Sequence, residues 1–258
     1  MKHIATLLAV LVFATTPLVA QGMYWESMTT TKTSDGKGPV TKYYYMPKKF
    51  KSVDEGQTAI MRLDKELMML VDHEKKTYWQ MTFDEMESMM KDMGGKMDEA
   101  MKQMEKEMAG MDPEQRKMVE QMMGKKMGGG SQEAVEVDKS SDTKSISGYK
   151  CIKYTLKQGD DVMATVWATK ELASSEAMRK ELDEFAKRMS AMMPKGMENI
   201  VKKSINTIDG FPIQTEMKGG SLMTVTKIEK TSVAASEFEV PTGYTKEDPP
   251  MMGKPERE

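Results

Sequence analysis

The stretch Ala59-Ile60-Met61-Arg62-Leu63-Asp64-Lys65-Glu66-Leu67-Met68-Met69-Leu70-Val71-Asp72, followed by Lys75-Lys76-Thr77-Tyr78-Trp79, decides the fold. From Thr58 to Asp64, Ala59, Met61 and Leu63 alternate with Ile60 and Arg62, the period of a strand with two unlike faces. Leu67 to Val71 is apolar at every position, and Thr77 to Met81 resumes after the turn Asp72-His73-Glu74-Lys75-Lys76. A strand apolar on both sides needs cover on both. The expectation is an antiparallel sheet with other elements packed upon it.

Upstream, Met23 to Thr33 is rich in Thr and aromatics, and Val40 to Met46 carries Tyr43, Tyr44 and Tyr45. The turn residues Ser34-Asp35-Gly36-Lys37-Gly38-Pro39 between them predict a hairpin. Before it, Lys2 and His3 precede an apolar run from Ile4 to Val19 that ends at Leu18-Val19-Ala20, the pattern of a secretory signal with cleavage after Ala20. Residues 1–20 are therefore expected to be a signal peptide, leaving no stable membrane span after cleavage. With 38 basic and 40 acidic side chains interspersed, the formal charge is −2, and no nucleic-acid footprint is present.

Downstream, fourteen of the 31 methionines fall between Met81 and Met127. Met86, Met90, Met93, Met97, Met101, Met104, Met108 and Met111 recur by threes and fours, as one helix face does. Thr82 with Glu85 has the form of a capping box that opens a helix through about Met108, in which Gly94-Gly95 should cost roughly 1 kcal/mol per Gly and predicts a kink or break. Asp112-Pro113-Glu114-Gln115 opens a second helix that Gly128-Gly129-Gly130 ends. A Met face is soft and adaptable, suited to partners of varying shape.

A polar connector is read over Ser131 to Ser145, then strands at Gly148 to Lys157, with Ile152, Tyr154 and Leu156 on one face, and at Val162 to Thr169. Ser174 caps a third helix through Met178, Leu182, Phe185, Met189 and Met192, stopped by Pro194. Strands at Phe211 to Lys218 and Leu222 to Lys230 and a closing segment at Glu237 to Val240 follow.

The hairpin quoted at the outset resembles that of the outer-membrane lipoprotein carrier superfamily, the LolA/LolB-like proteins. Gly148-Tyr149-Lys150-Cys151-Ile152-Lys153-Tyr154, Val166-Trp167-Ala168-Thr169, Asp209-Gly210-Phe211-Pro212-Ile213 and Phe238-Glu239-Val240-Pro241-Thr242-Gly243-Tyr244 are similar to a branch of it known only as a domain of unknown function. The resemblance implies an α+β fold: a curved antiparallel sheet, an incomplete barrel, with helices on its concave face, where LolA holds acyl chains. It spans one domain over 21–245, from which this sequence departs by a Met-rich helical insertion at 83–130, and the Pro-rich end of the sequence reads as a disordered tail at 246–258.

Catalytic signals are sparse. Beyond residue 20 the sole histidine is His73, read as a solvated turn residue, so a Ser-His-Asp or Cys-His triad lacks a credible base. Cys151 reads as a half-buried strand residue. Gly128 to Gly130 lacks the Lys-Ser/Thr of a phosphate loop, and Asp84, Glu85 and Glu87 sit among lysines as a solvated face does. No cofactor is expected. The sequence therefore points to a secreted or periplasmic, non-enzymatic binding or carrier protein whose partner is an apolar ligand such as a lipid or acyl chain. Its expected binding residues are Met86, Met90, Met93, Met97 and Met101 on the helix, with Leu67, Met69, Val71 and Trp79 as the fixed wall. Two alternatives stand beside it: a Cu(I) or redox buffer using thioethers such as Met86-x-x-Met89 and Met101-x-x-Met104, and a module that docks an envelope protein. Sequencing the N-terminus of exported protein tests the signal reading; it should begin at or within a few residues of Gln21, and an intact first segment in membranes would refute it.

Overall fold

The computed structural model describes residues 21–31, 33–109, 135–172, 178, 180–181, 183–184 and 207–249. Its strands are β1 (Gln21–Thr30), β2 (Val40–Met46), β3 (Lys49–Val53), β4 (Gln57–Arg62), β5 (Leu67–Asp72), β6 (Thr77–Thr82), β7 (Val135–Ile146), β8 (Tyr149–Gln158), β9 (Asp161–Thr169), β10 (Phe211–Met217), β11 (Leu222–Ser232) and β12 (Thr245–Lys246). Helix α1 spans Phe83–Ala109, and a 3-10 turn spans Ala235–Phe238. All twelve strands form one sheet in the order β12-β6-β5-β4-β3-β2-β1-β11-β10-β9-β8-β7, which does not close on itself. Every pairing is antiparallel except the short parallel pair β12–β6.

Four features of the chain depart from the expectations or fall outside the described residues. β3 was not anticipated: Lys49-Phe50-Lys51-Ser52-Val53 is too basic to read as a strand, yet it pairs on both sides, with β2 and β4. The expected connector over 131–145 is mostly strand β7, whose exposed, charged residues and irregular pairing between Lys139 and Thr143 suit an edge that must not recruit another strand. Helix α1 runs unbroken through Gly94-Gly95, because two glycines cost less than interrupting a 27-residue hydrogen-bonded ladder. The second Met-rich helix expected from Asp112, the signal segment and the end of the tail lie outside the described residues; of the third helix, residues 178, 180, 181, 183 and 184 are helical and Met178 is buried.

The capping box at α1 is formed as read. The Glu85 amide donates to Thr82 Oγ1 at 3.2 Å and the Thr82 amide donates to Glu85 Oε2 at 2.7 Å. Both partners satisfy donors the helix itself leaves unpaired. The Thr82 amide, and then the Thr82 hydroxyl at 2.9 Å, donate to the Glu85 carboxylate and hold it below its usual range.

Strand register sorts β1 to β6 into two unlike faces. On one, two cross-strand rows run unbroken: Met23, Tyr45, Phe50, Met61, Met68, Met81, and beside it Trp25, Tyr43, Ser52, Ala59, Leu70, Trp79. On the other lie Tyr24, Tyr44, Lys51, Ile60, Met69 and Gln80, and next to the last three Thr58, Val71 and Tyr78. We call the first the inner face and the second the outer face.

The outer face of β4 and β5 is sealed by the chain's own C-terminal segment. Val233 and Phe238 bury against Ile60, Met69 and Val71, with Leu67, Tyr78, Val240 and Tyr244 around them. Three polar ties hold this strap. Arg62, itself buried, grips Asp64 with Nε to Oδ1 at 2.8 Å and Nη2 to Oδ2 at 2.7 Å, and donates from Nη1 to the Phe238 carbonyl at 3.3 Å and to the Glu239 carboxylate. Lys51 Nζ meets Glu237 at 2.8 Å. His73 bridges the third tie, with Nε2 on the Thr58 hydroxyl and Nδ1 on the Tyr244 hydroxyl, each at 2.7 Å. His73 is thus a half-buried latch, not the solvated turn residue the sequence suggested; Tyr244, 171 residues on, supplies the partner that no local reading could find. The strap then adds β12 to the β6 edge, where the Glu247 amide donates to the Tyr78 carbonyl at 2.8 Å.

At the far half of the sheet, Tyr154, Leu156, Ala164, Val166 and Ala168 form a second core on β8 and β9. Cys151 is wholly buried in β8, and burial pushes its thiol up. Gly210 turns into β10 with φ +126°, where a Cβ would lie 2.4 Å from the Thr169 carbonyl oxygen, so only glycine fits.

Two measurements test these assignments. Arg62→Met should lower stability by about 2–3 kcal/mol, less than a fully buried pair because Asp64 and Glu239 stay partly hydrated, and should speed proteolysis within 233–247. Arg62 hydrogen bonds hold the Asp64 carboxyl low; at Glu239 burial opposes ionisation but Arg62 and Lys65 outweigh it, and that carboxyl is low too. Depressed folded-state values mean this stabilisation is fully present above the unfolded carboxylate range of about 4 and is lost as pH falls through the folded values, a slope Arg62→Met should flatten. Second, Met69→Lys buries an ammonium under Phe238 and should cost about 3 kcal/mol or more, whereas Met68→Lys, one residue away on the other face, should cost about 1 kcal/mol or less. Equal costs in urea unfolding would overturn the face assignment.

Candidate ligand-binding face

The inner face is not covered evenly. At its centre Met23, Trp25 and Tyr45 are buried among Leu172, Met178, Phe211, Ile213 and Val225. Trp25 stacks on Tyr43 at 5.0 Å between centroids and meets Phe211 edge-on at 5.6 Å, a rigid aromatic anchor. The helical residues above are pinned at the β2–β3 hairpin by Glu181, whose Oε2 accepts from the Tyr45 hydroxyl at 3.1 Å and from the Lys48 amide at 2.7 Å. Burial, and then the Glu181 charge, push the Tyr45 hydroxyl well above the usual phenol range. Cover of a second kind begins where β6 passes into α1: Met81, Phe83 and Met86 are buried, and the Phe83 amide donates to the Glu66 carbonyl at 3.0 Å.

Between these two covers lies a stretch of floor that is neither buried nor free. Phe50, Ala59, Met61, Met68, Leu70 and Trp79 are all half-buried and occupy two adjoining cross-strand rows on β3 to β6. Ser52 is the one polar side chain in those rows. The next row, Gln57, Asp72 and Thr77, is a polar rim, and Asp72 is occupied by the Glu74 and Lys75 amides at 3.0 and 2.9 Å. An apolar floor with polar groups confined to its margin takes an apolar ligand through contact area.

The expected site residues divide. Leu67, Met69 and Val71 lie on the outer face beneath the strap, with Met69 and Val71 buried at 3% and 0% exposure, so they are core to the strap and not open to a ligand. Trp79 lies on the inner floor beside Leu70. The four do not share a face, because Trp79 pairs with Leu70, and Leu70 points away from Met69 and Val71. On α1, Met86 is buried at its start and Met90 is half-buried, while Met104 is 40% exposed. Of the described stripe residues, Met86 is core and Met104 faces solvent. The side chains of Met93, Met97 and Met101 lie outside the described residues.

Met61, Met68, Leu70, Ala59 and Phe50 were missed. The alternation of Ala59 and Met61 against Ile60 and Arg62 held the signal for β4, but β5 is apolar throughout and gives no sign of which parity faces inward. Only pairing with β4 settles it. Among the described residues no group of three or more His, Cys, Asp or Glu could hold a metal, and no helix is long and apolar enough to cross a membrane.

No curated protein matches the chain. Among solved structures, that of PNGF-II has a TM-score of 0.40 at 10% identity, covering 89% of this chain and 32% of its own, and the Pseudomonas aeruginosa MucA/MucB complex has 0.37 at 5% identity, covering 86% and 56%. The chain thus spans about a third and about half of those two chains, and likeness at this level carries no functional argument. The family described as a domain of unknown function, DUF4412, matches residues 80–244, from the end of β6 to the Tyr244 latch. That range takes in α1, the whole far half of the sheet and the strap, well over half of the sequence, and the chain belongs to the DUF4412 family.

Proposed function

We propose that this protein is a secreted or periplasmic, non-enzymatic binding or carrier protein for an apolar ligand, a lipid or acyl chain, of LolA/LolB-like architecture. The observation that carries the reading is the half-buried floor of Phe50, Ala59, Met61, Met68, Leu70 and Trp79, left between the helical residues over β2–β3 and the start of α1. An unclosed antiparallel sheet with helical cover on one face is the frame such a carrier requires, and it supports the reading. The ligand-facing residues are then Met61, Met68, Leu70 and Trp79 from the sheet, with Met90 from α1 at the edge; Leu67, Met69 and Val71 act by holding the strap.

At ~25 cal/mol per Å², losing roughly 55 Å² of apolar contact weakens binding about tenfold. Replacing Met68 and Leu70 by Lys places two charges on the floor and should cost at least that much affinity for a fluorescent fatty-acyl probe. Binding should also shift emission to the blue, a shift that Trp79→Phe reduces. A wild type that binds no acyl probe, or a folded Met68→Lys/Leu70→Lys variant that binds as well as wild type, would overturn the proposal.

A further inference from the structure

We propose that Met61, Met68 and Met81 form a binding site for a soft monovalent cation, Cu(I). They come from three adjacent strands and are direct register partners, Met61 opposite Met68 and Met68 opposite Met81. Cβ atoms of direct partners stand about 4.5–5.5 Å apart. The three rotatable bonds of each side chain let neighbouring sulfurs converge on one ion. Nothing in the linear sequence sets these three apart, since they are separated by turns and lie among 31 methionines.

The surroundings select the ion. In the two rows that form the floor, the only oxygen on a side chain between β3 and β6 is the Ser52 hydroxyl, so Ca(II) and Mg(II) find no ligand set, and Zn(II) finds no thiolate, imidazole or carboxylate. Neutral thioethers are soft donors that suit Cu(I), and one positive charge is less costly to hold on a half-buried apolar face than two. Met61 and Met68 are half-buried, which leaves a path for the ion, while Met81 is 7% exposed and closes the row from behind. Trp79 lies two residues before Met81 on the same face of β6, about 7 Å along the strand, where its ring can face the ion and its emission can report it.

This site does not rest on the apolar-ligand proposal. Its test is anaerobic titration with ascorbate-reduced Cu(I) against a chromophoric Cu(I) chelator, following tryptophan emission in parallel. Wild type should withdraw Cu(I) from the chelator with quenching that Trp79→Phe removes. Met61→Leu/Met68→Leu/Met81→Leu keeps side-chain volume, and should lose at least about tenfold in Cu(I) affinity. Met68→Leu alone, which removes the central thioether from a half-buried position, should show the same direction if the triple variant fails to fold. Met90→Leu/Met93→Leu/Met97→Leu/Met101→Leu on α1 should leave both uptake and quenching unchanged, and Zn(II) should not compete. The inference is overturned if wild type takes up no Cu(I), if uptake survives in the folded strand variant, or if it is lost with the helix variant instead. Loss of acyl-probe binding with Cu(I) uptake intact would strike the carrier proposal alone.

Discussion

Burial of Phe238 against Ile60, Met69 and Val71 is the constraint from which the composition of the inner face follows. A strand sends alternate side chains to opposite sides, so fixing Met69 and Val71 beneath the strap leaves Met68 and Leu70 no choice but the inner face. The buried Arg62 guanidinium enforces this register chemically. It binds Asp64 just beyond its own strand and Glu239 in the strap at once, and a slip of one residue would carry it to the inner face, away from both carboxylates. A charged group with 5% side-chain exposure is tolerable only because its donors are engaged by two carboxylates and a carbonyl.

With the outer face closed by the chain itself, the inner face needs a different cover, and the described helical residues supply it in part. The aromatic anchor of Trp25, Tyr43 and Phe211 lies under Leu172 and Met178, and Glu181 fixes that cover to the β2–β3 hairpin. Helix α1 leaves β6 through a fully formed capping box and buries Phe83 and Met86 in its first turn, so its entry is set, while Met104 further along is exposed. The floor between the two is built of Met, Leu, Ala and aromatic side chains, able to accept an adaptable apolar ligand. The thioethers of Met61 and Met68 on this floor are aligned by register with that of buried Met81 beside it.

The polar ties of the strap explain residues that otherwise look like unrelated sequence marks. Phe238 is the plug, Glu239 the Arg62 partner, Tyr244 the His73 partner, and Gly243 takes a positive φ of 85° between them. The DUF4412 match ends at Tyr244, where these contacts end. The sheet edges are handled by the same economy of means: β12 covers β6, and β7 presents a charged, irregular strand.

By itself the sequence determined most strands, the capping box and the apolar character of β4 to β6, because alternation, turn residues and cap spacing are local signals that survive without a partner strand. It also marked the four segments that meet in the strap and the β8–β10 region. It could not identify β3, whose lysines alternate with Phe50 and gain their place from two neighbours, nor β7, held by main-chain bonds to β8. It could not decide which parity of Leu67 to Val71 lies on the inner face, because every position there is apolar. It could not show that His73 and Arg62 are ties to the strap, since their partners there, Tyr244 and Glu239, lie more than 170 residues away in sequence. Those matters were decided by the tertiary structure, through strand register and the return of the C-terminal segment across the sheet, both of which depend on contacts that no local stretch of sequence contains.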